Sequence, residues 1–243
     1  VDVVTGAFYV DDIDLDLPGP IPLEVRRNYS SQNPMHGLFG VGWRLSLNPF
    51  LLEEEDKLFA SEKDGTLIVY RYVSEHKRWE VLVEDNPQLR NFSKQNIGST
   101  FNPFHAYIVK EEKYILHSPD GSKRVFKGNK LETWSDHAGN TLTFTFIGEC
   151  LKCIENSYGG FLCFEYNPGG RISEVRSRDG RRVTYGYDFQ GNLASVTLPN
   201  MGEIRYDYDL FHRIIRETKP CGRVLENVYI DGKVSEQRSP VGP

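Results

Sequence analysis

Apolar and polar residues alternate through the second half of the chain, and the alternation restarts at a regular interval. Behind a glycine come three apolar positions spaced by two: Leu142, Phe144 and Phe146; Leu162, Phe164 and Tyr166; Val183, Tyr185 and Tyr187; Ile204, Tyr206 and Tyr208. A period of two puts each trio on one face of a β-strand. The opposite face is polar, as in Thr141, Thr143 and Thr145 or in Glu203, Arg205 and Asp207. A second turn follows, such as Asp188-Phe189-Gln190-Gly191-Asn192, and a second strand starts at an aliphatic residue.

Two ladders measure the repeat. Gly139, Gly159, Gly180, Gly202, Gly222 and Gly242 are separated by 20, 21, 22, 20 and 20 residues. Leu151, Ile172, Leu193, Ile214 and Val234 are separated by 21, 21, 21 and 20. Two turns of about four residues then leave two strands of about six or seven, an ordinary strand length. Each unit is therefore a β-hairpin; helical repeats need about 33 residues or more. A lone hairpin is barely stable in water, whereas stacked hairpins share ladder hydrogen bonds. The expected fold is all-β: antiparallel hairpins stacked into an open, twisted sheet, with Phe144, Phe164, Tyr185 and Tyr206 neighbouring one another in a common row. A buried ring removes about 150–250 Å² from water, worth up to about 4–6 kcal/mol, so the trios should hold the array together.

The first half reads differently. Ile13, Leu15 and Leu17 alternate with Asp12, Asp14 and Asp16, a half-exposed strand with one acidic face. That face is expected to be solvated, with Ca²⁺ binding as the functional alternative. Leu17-Pro18-Gly19-Pro20 ends the strand, and Leu23, Val25 and Arg26-Arg27-Asn28-Tyr29 suggest a second. The glycine-rich stretch from Gly37 to Trp43 lacks a phosphate-binding lysine and reads as a turn that lets Trp43 pack. Glu53-Glu54-Glu55-Asp56 reads as a solvated hairpin end, and Asp64-Gly65 with Leu67, Val69 and Arg71 as another hairpin. Residues 85–104 form the longest expected loop. The chain divides into an N-terminal β domain at 1–110 and a hairpin array at 111–243.

Two sets of residues carry a family resemblance. The run from Gly170 through Asp179-Gly180 to Tyr187-Asp188, and that from Gly202 through Tyr206 to Tyr208-Asp209, resemble YD repeats. Val1-Asp2-Val3-Val4-Thr5-Gly6, Leu17-Pro18-Gly19-Pro20, Arg26-Arg27-Asn28-Tyr29 and Gly40-Val41-Gly42-Trp43 occur in the order of the domain that commonly precedes Rhs repeats. The chain thus resembles the Rhs/YD-repeat family, which includes toxin-complex shells and teneurins. The resemblance implies a β-ribbon that spirals into a hollow shell around a C-terminal toxin, and a protein made in the cytoplasm and then secreted or displayed at the cell surface. This piece would be the starting end. Its implied structural residues are Gly139, Phe144, Phe146, Gly159, Phe164, Tyr166, Gly180, Tyr185, Tyr187, Asp188, Gly202, Tyr206, Tyr208, Asp209, Gly222 and Tyr229. The pattern weakens at both ends: Phe126, Phe144 and Phe146 replace tyrosine early, and Asn227 takes an aromatic slot late.

Composition narrows the functions. The chain has 243 residues, a net charge of −5 and 12% aromatic residues, and no 18-residue apolar run. An acidic balance does not suit a phosphate backbone, so neither a nucleic-acid partner nor membrane insertion is expected. Cys150, Cys153, Cys163 and Cys221 lack zinc spacing. Buried free thiols are the favoured reading, with a Cys153–Cys163 disulfide across one hairpin as the alternative. Cys150 and Cys153 are expected on different strand faces. The six histidines, His36, His76, His105, His117, His137 and His212, show no pairing or metal spacing. The expectation is a non-enzymatic wall segment with no cofactor. Its partners would be the rest of the parent chain and its toxin cargo. The alternative is a carbohydrate-binding or adhesion module with exposed aromatic rows that take a glycan.

Overall fold

The structure is a computed structural model that describes residues 1–61, 67–81, 106–110, 113–117 and 121–239. Asp64-Gly65, the loop expected at 85–104, His105 and Gly242 lie outside the described residues. Every regular element among the described residues is a strand.

Strands β1 (Tyr9–Leu17) and β2 (Leu23–Ser30) form a hairpin around the Pro18–Pro20 break. A small hairpin of β3 (His36–Gly37) and β4 (Gly40–Val41) leads into β5 (Trp43–Leu45), which pairs with β2 to complete a three-stranded sheet. The glycines here are matters of contact. A Cβ on Gly42 would lie 2.6 Å from the Tyr29 ring, and one on Gly37 2.0 Å from the Trp43 carbonyl oxygen. Trp43 is wholly buried, as its turn predicts.

A second, larger sheet follows. It begins with β6 (Leu51–Glu54), β7 (Lys57–Ser61), β8 (Leu67–Val73), β9 (Arg78–Val81) and β10 (Ala106–Lys110). It continues through β11 (Lys113–His117), β12 (Lys123–Lys127), β13 (Lys130–Ser135), β14 (Thr141–Ile147), β15 (Cys150–Asn156), β16 (Phe161–Tyr166) and β17 (Ile172–Ser177). It ends with β18 (Arg182–Tyr187), β19 (Leu193–Thr197), β20 (Glu203–Tyr208), β21 (Ile214–Thr218), β22 (Val224–Ile230) and β23 (Lys233–Arg238). Each strand pairs antiparallel with the next, and β10, which ends at residue 110, pairs with both β9 and β11. The Glu53–Asp56 run is the exposed tip of β6–β7, as expected. The sheet curls enough for Phe50 to bridge Lys130, yet no ladder joins β23 to β6 among the described residues, so it is open. The all-β, stacked-hairpin expectation holds.

The common row of rings needs correction. Phe144, Phe164, Tyr185 and Tyr206 do share one buried face. Their cross-strand partners, however, are Ile154, Val175, Val196 and Glu217. Rings two strands apart are about 10 Å from each other, so an aliphatic side chain stands between each ring and the next. The rings find aromatic partners elsewhere: Phe39 lies 4.8 Å from Tyr185 and Trp43 lies 5.1 Å from Tyr206, centroid to centroid. The three-stranded sheet thus covers the aromatic face of the middle hairpins, and the two parts share one core.

The glycine ladder also shifts by one residue at one rung. Gly139, Gly159, Gly180 and Gly222 have positive φ at the fourth position of matching turns. In the remaining unit that position is Met201, with φ of 65°, and Gly202 is the next residue. The bond pattern proves the equivalence: Met201 N–H donates to Leu198 O as Gly180 N–H donates to Ser177 O.

Candidate functional site: the seam between the N-terminal sheet and the repeats

Each repeat contains a β-bulge, which explains its Tyr-Asp pair. Tyr166 pairs with Ile172 while its neighbour Glu165 pairs with Glu174, so Ser173 is the extra residue. The same shift follows Leu151, Leu193, Ile214 and Val234. A bulge disrupts the ladder locally, and a buried carbonyl there needs another donor. The Tyr187 hydroxyl donates to Ile172 O of the preceding unit at 2.6 Å. Tyr166 donates to Leu151 O at 2.7 Å, Tyr208 to Leu193 O at 2.9 Å and Tyr229 to Ile214 O at 2.9 Å. Phe146 has no hydroxyl, and Lys130 Nζ lies 5.7 Å from its ring centroid instead. The aspartates close the next turn: Asn192 N–H donates to Asp188 at 2.8 Å, and Arg213 N–H to Asp209 at 2.9 Å.

The bulge also changes which residues face inward. It lets residues three apart, such as Leu151 and Ile154 or Ile172 and Val175, both be buried. Cys150 and Cys153 consequently share the outer face, not opposite faces. Cys153 lies directly across from Cys163, Cα to Cα 4.1 Å, and the two form a disulfide. The favoured free-thiol reading is wrong for this pair; Cys150 is free and half-buried, and Cys221 is free and exposed.

A bulge in β1 builds the seam itself. The register slips between Ile13 and Leu15, so Asp14 turns inward and Ile13 outward, against the simple alternation. Asp14 is 5% exposed and Arg27, on β2, is 0% exposed. The guanidinium grips Asp14 with two bonds, Nε to Oδ2 and Nη2 to Oδ1 at 2.7 Å. Its carbon lies 4.8 Å from the Trp43 ring centroid. From the repeat side, the Tyr185 hydroxyl donates to Asp14 at 2.8 Å and the Tyr206 hydroxyl to Asp12 at 3.1 Å. Lys219 Nζ reaches both Asp12 oxygens at 2.9 and 2.8 Å. Neither the solvated-face nor the Ca²⁺ reading survives for Asp12 and Asp14: side-chain cations and hydroxyls of this chain occupy them. Asp16 is exposed, and its backbone carbonyl accepts a bond from Arg181.

Further bonds extend the seam. Trp43 Nε1–H donates to the Tyr208 hydroxyl at 2.9 Å, and Ile214 N–H donates to the Tyr29 hydroxyl at 3.1 Å. Tyr29 in turn donates to His212 O, and Ile172 N–H donates to Leu38 O. The residues near the chain start also engage, with Val234 N–H donating to Gly6 O. Burial lifts the pKa of Tyr185 well above its usual value, reinforced by the Asp14 carboxylate. Burial pulls the Arg27 pKa down, but Tyr206 and Asp14 outweigh it and the net shift is upward. A buried ion pair returns its desolvation cost only with good geometry and further hydrogen bonds; the hydroxyls of Tyr185 and Tyr206 supply them. Lys219 escaped the sequence reading, and Asp14 and Arg27 were read without these roles, because nothing in the local pattern signals a partner more than 170 residues away. The inward aspartate next to a doubled arginine was the available hint.

Comparisons with known proteins agree with this layout. Residues 1–70 match a family model described as a domain of unknown function (DUF6531), and residues 166–200 match that of the RHS repeat. The chain is 22% identical over 252 residues to the double-stranded DNA deaminase toxin A of Burkholderia cenocepacia (strain H111), covering 100% of this chain and 16% of that protein. It is 22% identical over 320 residues to the probable deoxyribonuclease RhsB of Dickeya dadantii (strain 3937), covering 96% of this chain and 22% of that protein. The chain therefore spans under a quarter of either relative.

Proposed function

Because the chain belongs to the Rhs/YD-repeat family, we propose that it is a non-enzymatic wall segment of a shell that encloses and helps deliver a toxin carried by the same parent protein. The parent would be made in the cytoplasm and act after secretion or surface display. The relatives are named for a toxin and a nuclease, and the matched stretch is a minor part of each; in this reading their chemistry lies elsewhere in those chains. One observation carries the proposal. The conspicuous side chains of the repeat are spent on building: tyrosine hydroxyls fill bulges, aspartates close turns, and Tyr185 and Tyr206 hold the N-terminal sheet.

The alternative, a glycan-binding module, needs exposed aromatic rows, and the inward rings of the trios do not supply one. Phe164, Tyr185 and Tyr206 are 0%, 6% and 2% exposed, so they offer no stacking face to a sugar. The wall reading is tested by limited proteolysis of the parent protein. The toxin segment should resist digestion within the intact parent and be cut when expressed alone. Equal digestion rates in the two settings would refute enclosure.

A further inference from the structure

Glu217 breaks the inner-face pattern. Three residues beyond the ladder position, the earlier units place Ile154, Val175 and Val196, all wholly buried. The unit that begins at Ile214 places Glu217 there, its side chain 9% exposed. Glu217 Oε1 makes no well-directed hydrogen bond, yet it lies 3.0 Å from Lys219 Nζ. Lys219 sits just past β21 and reaches back to β1, 2.9 Å from Asp12 Oδ1 and 2.8 Å from Oδ2. Asp12 also accepts the Tyr206 hydroxyl at 3.1 Å and lies 3.7 Å from Arg27. The side chains of Lys219 and Asp12 are 29% and 22% exposed. An ordinary ion pair at such exposure contributes little and gives no reason to put a carboxylate in an aliphatic slot.

We propose that Lys219 and Asp12 form an isopeptide bond spontaneously, with Glu217 as the proton carrier. One amine, that of Lys219, touches both a carboxyl, Asp12, and a second, buried carboxyl, Glu217. Lys219 Nζ gives a proton to Glu217 and attacks Asp12 Cγ. A C–N bond forms, a C–O bond breaks, and the departing oxygen takes two protons from the former ammonium, one of them passed through Glu217. An ammonium and a carboxylate enter; an amide and one water leave. No oxidant or cofactor is needed. The Tyr206 hydroxyl polarises the carboxyl it bonds. Fixed contact can be worth an effective concentration of roughly 10⁵–10⁸ M. Burial pulls the Lys219 pKa down, but Asp12 and then Glu217 outweigh it and the net shift is upward. The free amine is therefore the minor form, and the bond matures gradually. The product welds the N-terminal sheet to the repeat sheet, and it does not depend on the shell reading.

The test is the mass of the purified 243-residue chain, reduced and fully denatured after prolonged incubation at neutral pH. The expected result is a species lighter than the sequence mass by one water, with a branched peptide joining the segments that hold Asp12 and Lys219. Lys219→Arg keeps the charge and removes the nucleophile, and should show the full mass. Glu217→Gln should slow the bond by about a hundredfold while near-ultraviolet circular dichroism matches the wild type. A wild-type chain that keeps its full mass overturns the proposal. A branched peptide that forms equally fast in Glu217→Gln overturns the role of Glu217.

Discussion

The repeat sheet fastens itself over short distances along the chain, and the N-terminal sheet over long ones. Tyr166, Tyr187, Tyr208 and Tyr229 each bond a carbonyl 15 residues back. The ties of the N-terminal sheet span far more: 165 residues from Trp43 to Tyr208, 171 from Asp14 to Tyr185 and 207 from Asp12 to Lys219. Local ties form as each hairpin closes, and repeat arrays gain stability unit by unit. The N-terminal sheet is conditional. Its three strands carry a buried arginine and a buried aspartate, and those charges are satisfied fully only against the repeats. The repeats supply the face on which the N-terminal sheet rests.

Alkali should break both systems and produce the largest effect. Tyr29, Tyr185, Tyr187, Tyr206 and Tyr208 all have their pKa raised, chiefly by burial. Their stabilising contribution is complete below the unfolded value near 10 and is lost as pH rises, because the unfolded chain releases protons that the folded chain keeps. Each such tyrosine costs up to about 1.4 kcal/mol per pH unit above that point. Denaturant midpoints measured from about pH 9 to about pH 11 should fall steeply; a flat profile would show that the hydroxyls are not buried as described.

The seam can then be broken alone. Arg27→Ala leaves Asp14 buried without its cation and should cost about 3–5 kcal/mol. Arg27→Met combined with Asp14→Leu should recover most of that loss. Hydrogen exchange sharpens the contrast: β1 and β2 should lose protection while β15 to β18 keep it. Equal loss in both regions would contradict this one-sided dependence. Tyr206→Ala removes a ring shared by both systems and should cost about 3–5 kcal/mol; a loss below about 0.5 kcal/mol would reverse the assignment of faces.

The same contrast explains what the sequence discloses. Alternation and the period near 21 reveal the hairpins because a strand face and a turn are local properties. Bulges are also local but leave no separate mark: Leu151 and Ile154 read as two apolar residues out of phase until the register is seen. The partners of Asp14 were hidden because one slipped residue in β1 reverses a side chain, and its reversal matters only beside Tyr185. Cys153 and Cys163 sat across a predicted hairpin, so their pairing was within reach; the choice between thiols and a bond depended on the register.

A smaller perturbation probes a single local tie. Tyr187→Phe keeps the ring and strips the Ile172 carbonyl of its donor, and should cost about 0.5–1.5 kcal/mol by denaturation. Phe146→Tyr is the converse, since it supplies a hydroxyl in the slot where later units bond a carbonyl 15 residues back. It should leave stability unchanged or raise it, and a marked loss would mean that the early units do not share the bulge geometry.

The smallest effect separates the two regions at the level of one backbone angle. Met201 and His212 both occupy the positive-φ turn position that glycine holds in other units, with φ of 65° and 61°. For an L-residue that conformation costs roughly 1–2 kcal/mol, partly offset by the greater freedom that glycine loses on folding. Met201 is 78% exposed, so little packing opposes the exchange, and Met201→Gly should stabilise the chain by about 0.5–1 kcal/mol. His212 lies under the N-terminal sheet: its Nδ1 meets Asn192 Oδ1 at 2.7 Å and its carbonyl accepts the Tyr29 hydroxyl. His212→Gly relieves the same strain but forfeits the Asn192 bond, so its gain should be cancelled or reversed. If both substitutions stabilise equally in parallel denaturation curves, the His212–Asn192 contact contributes nothing, and the strained histidine is not held there by the seam.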